Sequence, residues 1–325
     1  MAFQEKSFES FNKRDVIQAW IYTPIRKPRG IIQLVHGYHE HSRRYMHMIL
    51  KLNEAGFIVA ADDHVGHGKT AYVSNNWTDW GEKGYITMVE DEHTLRKIVQ
   101  EEYPELPYFM FGHSMGSMIA RSYSTVYGEG IDGLIICGTS GVFPTANSIM
   151  PVFKNLIDEG KGEEIDPACL EKLMSWMWKS ERYEENPVTA NNWACGNPDV
   201  NADHARDIYS DFLMPPNIRS LYYFVNLMND IVGTKWAEKV PTSIPVYNIA
   251  GDKDPVGQYG EGVYAVSNWL AETGHMVKTK IYPGYRHEIQ YYPDIMNEVE
   301  GGIIDFINCT IEQINMTGEQ YYDGK

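Results

Sequence analysis

The sequence predicts an α/β fold with a mostly parallel sheet flanked by helices, and three observations predict it. Short apolar runs of strand length alternate with helical patterns along residues 1–141. The same alternation returns along residues 241–325. Within the first stretch, a serine flanked by glycines lies where a strand pattern ends and a helical pattern begins. Such alternation is typical of parallel strands connected through helices.

Each predicted element corresponds to a distinct run of the sequence. The N-terminal "SFESFNKRDVIQAWIYTP" is predicted to form a hairpin. The run "SRRYMHMILKLNEAG" predicts a helix with Ser42 as N-cap and Gly56 as its stop. Two further helices are predicted in the first stretch, from "EDEHTLRKIVQEEYP" and "MGSMIARSYSTVYG". Four apolar runs predict buried strands: "GIIQLVHG", "FIVAADDH", "YFMFGH" and "GLIICGTS". The second stretch repeats the pattern with "IPVYNIAGD", "YAVSNWLAETG", "VKTKIYPG" and a last helix near "EVEGGIIDFINCTIEQI".

The alternation stops between residues 142 and 240, where no strand-like run stands out. This segment is rich in aromatic residues and methionine. We interpret it as a mainly helical cap inserted into a core made of residues 1–141 and 241–325, because the sheet pattern resumes afterwards. A second, independent domain is the alternative. Five aromatic residues of the segment either pack within the cap or line an apolar channel: Trp176, Trp178, Tyr222, Tyr223 and Phe224.

Composition excludes several classes of function. The 325 residues carry a formal net charge of -16, which disfavours nucleic acid and anionic lipid as partners because both require a basic surface. Neither a signal peptide nor a transmembrane run is recognisable in the sequence, so an integral membrane segment is not expected. The four cysteines are scattered and contain no CxxC pair, which favours free thiols and a cytoplasmic location.

The candidate nucleophile is Ser114, at the centre of the motif Gly112-His113-Ser114-Met115-Gly116. A serine between a strand and a helix is held on a tight, strained turn. The positions two before and two after it must therefore be nearly free of side chain, which accounts for Gly112 and Gly116.

A base and an acid are expected at the same edge of the sheet, beyond the carboxyl ends of the strands. His287 follows the run "VKTKIYP" and falls at that edge, whereas His275 precedes the run and falls at the opposite one. His113 is adjacent to the serine and is expected to point away from it. The acid is expected between serine and histidine in chain order. Asp254 is preferred to Asp252 because it lies farther beyond the strand end, while Asp252 suits a turn.

An oxyanion formed at Ser114 would need backbone N–H donors. Met115 is the first candidate, because it follows the serine at the start of a helix. The second is Tyr38, in the loop after "IIQLV", where Gly37 allows a sharp turn.

Histidines near this loop offer an alternative, a metal site. Their spacing is not HExxH and no matching Cys or Asp set accompanies them, so no metal is expected. His36 and His64 are instead predicted to brace loops through hydrogen bonds. The histidines concerned are His36, His39, His41, His64 and His67.

The runs "HGYHEHSRRY", "DDHVGHGKT", "GHSMGS", "GDKD" and "YRHE", in this order, resemble the monoacylglycerol lipase and lysophospholipase-like branch of the α/β-hydrolase fold. The resemblance covers nearly the whole chain. It implies Ser114 as nucleophile, Asp254 and His287 as its partners, and the amides of Tyr38 and Met115 as the oxyanion hole. Many members of this family carry small residues after the "HG" pair, whereas this chain has the bulky Tyr38 and His39 there.

The resemblance implies a serine hydrolase that cleaves carboxylic esters, with monoacylglycerols or lysophospholipids as the expected substrates and no cofactor. The same catalytic groups also serve thioesterases, C–C hydrolases, aminopeptidases and acyltransferases, and the fold does not choose among them. A ligand-binding protein that has kept the fold is a further alternative, although it would have no need of all three catalytic groups. The expected partner is a small-molecule or lipid ester.

Overall fold

In the computed structural model, eight strands form a single sheet with helices on both of its faces. The structure describes residues 2–178, 192–210 and 214–322, with the backbone alone at 175–178 and 317–322. The strands are β1 (Ala2–Glu9), β2 (Val16–Thr23), β3 (Ile31–Val35), β4 (Ile58–Asp63), β5 (Tyr108–His113), β6 (Gly133–Cys137), β7 (Val246–Gly251) and β8 (Val277–Tyr282).

The strand order is β1-β2-β4-β3-β5-β6-β7-β8. The first two strands form the predicted antiparallel hairpin, and β2 also pairs antiparallel with β4. All other neighbours are parallel. On β3, Ile31 and Val35 belong to one hydrophobic cluster and Ile32 and Leu34 to the other. Both faces of the sheet are therefore buried, which explains the continuously apolar strands. The predicted α/β class, with a mostly parallel sheet flanked by helices, is confirmed.

Helices connect the strands and cover the sheet. The chain also forms short 3-10 turns, one of which precedes α1. The α-helices are α1 (Met46–Glu54), α2 (Gly68–Ser74), α3 (Tyr85–Glu102), α4 (Met115–Tyr127), α5 (Ala146–Asp158), α6 (Pro167–Trp178), α7 (Pro198–Arg206), α8 (Ile218–Asp230), α9 (Thr234–Ala237), α10 (Glu261–Glu272) and α11 (Met296–Tyr322).

Two local predictions for the first stretch need correction. Ser42 is not an N-cap: it starts a 3-10 turn ahead of α1, and its hydroxyl donates to Asp63 Oδ1 at 2.7 Å. The Ser42 hydroxyl is therefore engaged with a carboxylate at the end of β4, and no side chain in the described part of the chain caps α1. The short helix α2 lacks an apolar periodicity, and the sequence did not predict it. The helix stop at Gly56 is confirmed by its left-handed φ of 93°.

Between β6 and β7 the described residues form five helices, α5 to α9, and one isolated bridge between Ile165 and Asn217. This agrees with the mainly helical character predicted for residues 142–240, while their division from the core as a cap stays a prediction. Each of the four cysteines lies in the described part of the chain and none forms a disulfide. No helix of the described ranges is long and apolar enough to cross a membrane.

Candidate active site

Ser114 occupies the single residue between β5 and α4. Its φ of 52° and ψ of -122° are strained for a residue with a side chain. A Cβ atom on Gly112 would overlap the carbonyl oxygen of Gly116, and one on Gly116 would overlap that of Val35. The turn therefore requires glycine at both positions for steric reasons, as the sequence predicted.

His287 and Asp254 form a buried pair near this turn. The Nδ1 atom of His287 lies 2.9 Å from Oδ2 of Asp254, and the two residues are 2% and 0% exposed. The other carboxylate oxygen, Oδ1, accepts the N–H of Val256 at 2.8 Å. Asp252 instead accepts the N–H of Gly284 at 2.6 Å, as a turn residue would. The geometry therefore separates the two aspartates as the sequence analysis proposed.

The free ring nitrogen of His287, Nε2, is buried and has no hydrogen-bond partner among the residues that the structure describes. Ser114 and His287 line the same cavity. Hydrogen bonds between a nucleophile and its base are often loose before substrate binds. Nε2 is therefore the atom available to take a proton from the serine. Burial would lower the pKa of His287, but the charge and hydrogen bond of Asp254 outweigh it and raise this pKa above its ordinary value.

The two rejected histidines have other contacts. His275 lies 3.1 Å from the carbonyl oxygen of Val240, before β8 and away from the serine. His113 lies closer to the site than expected, because it lines the same cavity as Ser114. Its Nδ1 faces a Glu40 oxygen at 3.0 Å and its Nε2 faces the backbone carbonyl of His287 at 3.4 Å. Since both ring nitrogens are engaged, His113 is poorly placed to act as a base.

The candidate oxyanion donors lie on two elements that meet at Ser114. Met115 is the first residue of α4 and is fully buried. Tyr38 belongs to the loop after β3, and its ring packs near Phe224 with centroids 5.5 Å apart. A Cβ atom on Gly37 would come within 3.1 Å of the Ser114 Cβ, so this loop passes close to the nucleophile.

A buried polar network behind this loop was missed by the sequence analysis. Glu40 accepts the Gly37 N–H at 2.7 Å and the Tyr45 hydroxyl at 2.6 Å. Arg44 donates to Glu40 at 2.8 Å and to Glu288 at 2.9 Å. Burial would raise the pKa of Glu40, but its contacts with His113, Arg44 and Tyr45 hold that pKa well below its usual range. Only the spacing of Glu40 and Arg44, four residues apart, hinted at this network, since Glu288 is distant in sequence.

A cavity of about 400 Å³ opens over Ser114. Most of its lining from the segment 142–240 is apolar, and polar groups come mainly from the loops of the sheet edge. Phe224 is one of the five aromatic residues singled out earlier, whereas the side chains of Trp176 and Trp178 lie outside the described residues. The lining includes Tyr38, Glu40, His113, Met118, Phe143, Leu170, Glu171, Met174, Trp193, His204, Phe224, Val256 and Glu288.

The five histidines considered as an alternative metal site do not form one set of ligands among the described residues. The backbone N–H of His64 donates to Nε2 of His36 at 3.1 Å, and the two rings stack at 3.8 Å. His41 faces Asp207 of the 142–240 segment at 2.7 Å. His36 and His64 therefore brace their loops as predicted. In the described part of the chain, the group with metal-ligand spacing is Asp62, His64 and Glu92.

The model of a family described as serine aminopeptidase, S33, matches residues 26–294. The chain belongs to the serine aminopeptidase S33 family. This S33 hydrolase is 25% identical over 300 residues to a monoacylglycerol lipase of Mycolicibacterium smegmatis, covering 88% of this chain and 92% of the relative. It is 71% identical to a thermostable carboxyl esterase of Bacillus coagulans, crystallised with glycerol, with a TM-score of 0.93 and coverage of 96% and 99%.

A third similar protein is a lipase solved in an open form, 34% identical to this S33 hydrolase with a TM-score of 0.88. The alignment covers 95% of this chain and 99% of the lipase. The resemblance to the monoacylglycerol lipase branch and the assignment to a serine-hydrolase family of the esterase and lipase type are thus confirmed. The individual roles of Ser114, Asp254, His287, Tyr38 and Met115 stay predictions that the geometry supports.

Proposed function

We propose that this protein hydrolyses carboxylic esters, with lipid-like monoesters such as monoacylglycerols or lysophospholipids as its substrates, through an acyl-enzyme on Ser114. One observation carries the proposal: the strained Ser114 and His287, whose ring contacts Asp254 behind it, line one largely apolar cavity. Relatives named carboxyl esterase and monoacylglycerol lipase support the reaction class. The glycerol bound to the Bacillus coagulans esterase supports a small polyol as the alcohol.

In this reaction Ser114 Oγ attacks the ester carbonyl while His287 Nε2 takes its proton. The oxyanion is stabilised by the N–H groups of Tyr38 and Met115. His287 then returns the proton to the leaving alcohol, which leaves the acyl group on Ser114. A water molecule, deprotonated by the same imidazole, releases the carboxylic acid. Asp254 holds the imidazole in the required tautomer and stabilises its charged form.

The substrate class rests on the cavity. Its apolar lining from Phe143, Leu170, Met174 and Phe224 suits an acyl chain, and methionine adapts to chains of different shape. We propose that residues 142–240 act as the cap that forms this wall, with residues 1–141 and 241–325 as the catalytic core. His204, which burial holds at a pKa of about 4, adds a neutral polar group to the lining.

The pH dependence of kcat/KM tests the base. His287 must be neutral to accept a proton, so kcat/KM should rise with pH through the pKa of this residue. Because that pKa is raised, the acidic limb should have its midpoint above 6.5. A p-nitrophenyl ester assayed across buffers of equal ionic strength measures it. A midpoint well below 6.5 would contradict the coupling between His287 and Asp254.

The apolar lining formed by Phe143, Leu170, Met174 and Phe224, here called the acyl wall, is tested by narrowing the cavity. In the wild type, kcat/KM for p-nitrophenyl esters should rise by up to about fourfold per added methylene, since each buried methylene contributes about 0.8 kcal/mol. Leu170→Trp fills part of the cavity and should move the optimum to shorter chains. Ile165→Trp is the matched control, because Ile165 is 59% exposed in the same segment. Equal shifts in both variants, or none in either, would argue against the acyl wall.

Two assays distinguish the proposal from its rivals. A fluorophosphonate probe should label the wild type at Ser114, which a protein that only binds ligands would not show. Parallel measurements on a p-nitrophenyl ester and on an amino-acid p-nitroanilide separate an esterase from an aminopeptidase. We expect turnover of the ester only; efficient cleavage of the anilide would overturn the ester assignment.

A further inference from the structure

Asp62, His64 and Glu92 form a compact buried group that does not line the cavity over Ser114. Asp62 lies on β4, His64 follows that strand, and Glu92 projects from α3. Their possible ligand atoms all lie within 4.8 Å of one another. The three residues are at most 1% exposed, so bulk solvent does not reach them.

The orientation of His64 is fixed by its neighbours. Its Nε2 lies 3.2 Å from the carbonyl oxygen of His36. A carbonyl oxygen can only accept, so Nε2 carries a proton and donates it. In the neutral ring Nδ1 then presents a lone pair. Nδ1 lies 3.5 Å from Asp62 Oδ1 and 3.4 Å from Glu92 Oε1, and it makes no hydrogen bond within the described ranges.

The carboxyl groups of Asp62 and Glu92 have few hydrogen-bond donors among the described residues. Both oxygens of Asp62 and the Oε1 atom of Glu92 have no hydrogen-bond donor among the residues that are described. Gln33 donates to the other oxygen of Glu92, but no Lys or Arg of the described ranges pairs with either carboxylate. Two buried carboxyl groups that face one imidazole nitrogen at these distances need a shared proton or a metal ion between them.

We propose that Asp62, His64 and Glu92 bind one Zn²⁺ ion that braces the loop before the oxyanion hole. Ligand atoms about 2.1 Å from a tetrahedral ion lie about 3.4 Å apart, which agrees with the separations of 3.5 and 3.4 Å from Nδ1. One imidazole and two carboxylates are ligands that zinc accepts. The second oxygen of Asp62 or a water completes the coordination.

The ion would act on structure rather than on the ester. His64 contacts the backbone carbonyl of His36, and His36 precedes the Gly37–Tyr38 turn. Fixing the His64 ring therefore fixes the base of the loop that carries one proposed oxyanion donor. The sequence analysis expected no metal because the histidine spacing is not HExxH. It did not consider Glu92, which is 28 positions beyond His64 and forms no local motif with it.

The test compares thermal unfolding with and without zinc. The purified full-length protein is dialysed against dipicolinate, and ZnCl₂ is then added. At free Zn²⁺ near 100 times its Kd, we expect the wild-type Tm to rise by about 5 °C. Asp62→Asn and Glu92→Gln should lose this rise. Glu92→Gln should also unfold no more easily than the metal-free wild type, since it removes one of two repelling charges.

Glu90→Gln is the matched control, because Glu90 lies on the same helix but accepts the Tyr127 hydroxyl. It should keep the zinc-dependent rise. An equal rise in all four proteins would show binding elsewhere and overturn the proposal. The absence of any rise in the wild type would overturn it as well, and would indicate that a proton shared by Asp62 and Glu92 fills the gap instead.

Co²⁺ provides a readout that does not depend on the variants. Bound to the metal-free wild type in place of zinc, it should give the intense visible absorption of a four-coordinate ion at one equivalent. A spectrum that stays as weak as that of aqueous Co²⁺ would contradict the site. Neither metal readout measures ester hydrolysis, so a failure of this inference is distinguishable from a failure of the proposed function.

Discussion

Replacing Ser114 with alanine lowers kcat for a p-nitrophenyl ester by roughly 10⁶-fold, the scale of loss when a serine nucleophile is removed. The Ser114 hydroxyl is the nucleophile of the proposed mechanism, and alanine removes it. Alanine accepts the same backbone conformation at a similar steric cost, so the free energy of unfolding should change by no more than about 0.5 kcal/mol. Steady-state kinetics and chemical denaturation measure the two effects separately.

Ser148→Ala is the control for this experiment. Ser148 is exposed on α5, and its hydroxyl bonds only the Thr145 carbonyl oxygen among the described residues. It should keep wild-type turnover and fluorophosphonate labelling. A Ser114→Ala protein that unfolds normally yet retains turnover within tenfold of the wild type would show that another group is the nucleophile.

Asp254→Asn should lower kcat by about 10⁴-fold, because the wrong tautomer of His287 results. The asparagine oxygen can keep the bond from the Val256 N–H, which turns its NH₂ group toward His287 Nδ1. Nδ1 must then accept, so the ring proton moves to Nε2 and blocks the site of proton uptake. The measurement is kcat at saturating ester.

Asp252→Asn is the matched comparison, two residues away in the same loop. Its amide oxygen can still accept the Gly284 N–H, and the residue is partly exposed. Turnover should therefore stay within about twofold of the wild type. If Asp252→Asn were the more damaging change, the assignment of the acid would be wrong.

Much of the candidate site follows from local pattern. The turn at Ser114 demands glycine at positions 112 and 116 for steric reasons, and those demands are visible in five consecutive residues. The order of strands and helices then places His287 beyond β8 and Asp254 beyond β7, at the edge where Ser114 lies. Parallel strands direct their carboxyl ends to one edge, so chain order alone predicts this meeting.

Other features depend on residues far apart in the sequence. Ser42 looks like a helix cap, but the folded chain offers it Asp63 at the end of β4. Glu40 looks like one acidic residue in a polar loop, yet it joins Gly37, Arg44 and His113 in a buried network. A polar side chain can have several possible partners in the sequence. Which of them it contacts is set only when the strands and loops have come together in the folded protein.

The sequence by itself therefore determined the α/β fold class, the strained serine turn and the chain order of serine, acid and base. These depend on backbone sterics and on apolar periodicity, both of which are local. Only the tertiary structure decided that Arg44 bridges Glu40 and Glu288, which aromatic residues of the 142–240 segment line the cavity, and that Glu92 meets Asp62 and His64. Burial and charge compensation decide such contacts, and both arise from elements that meet only after folding.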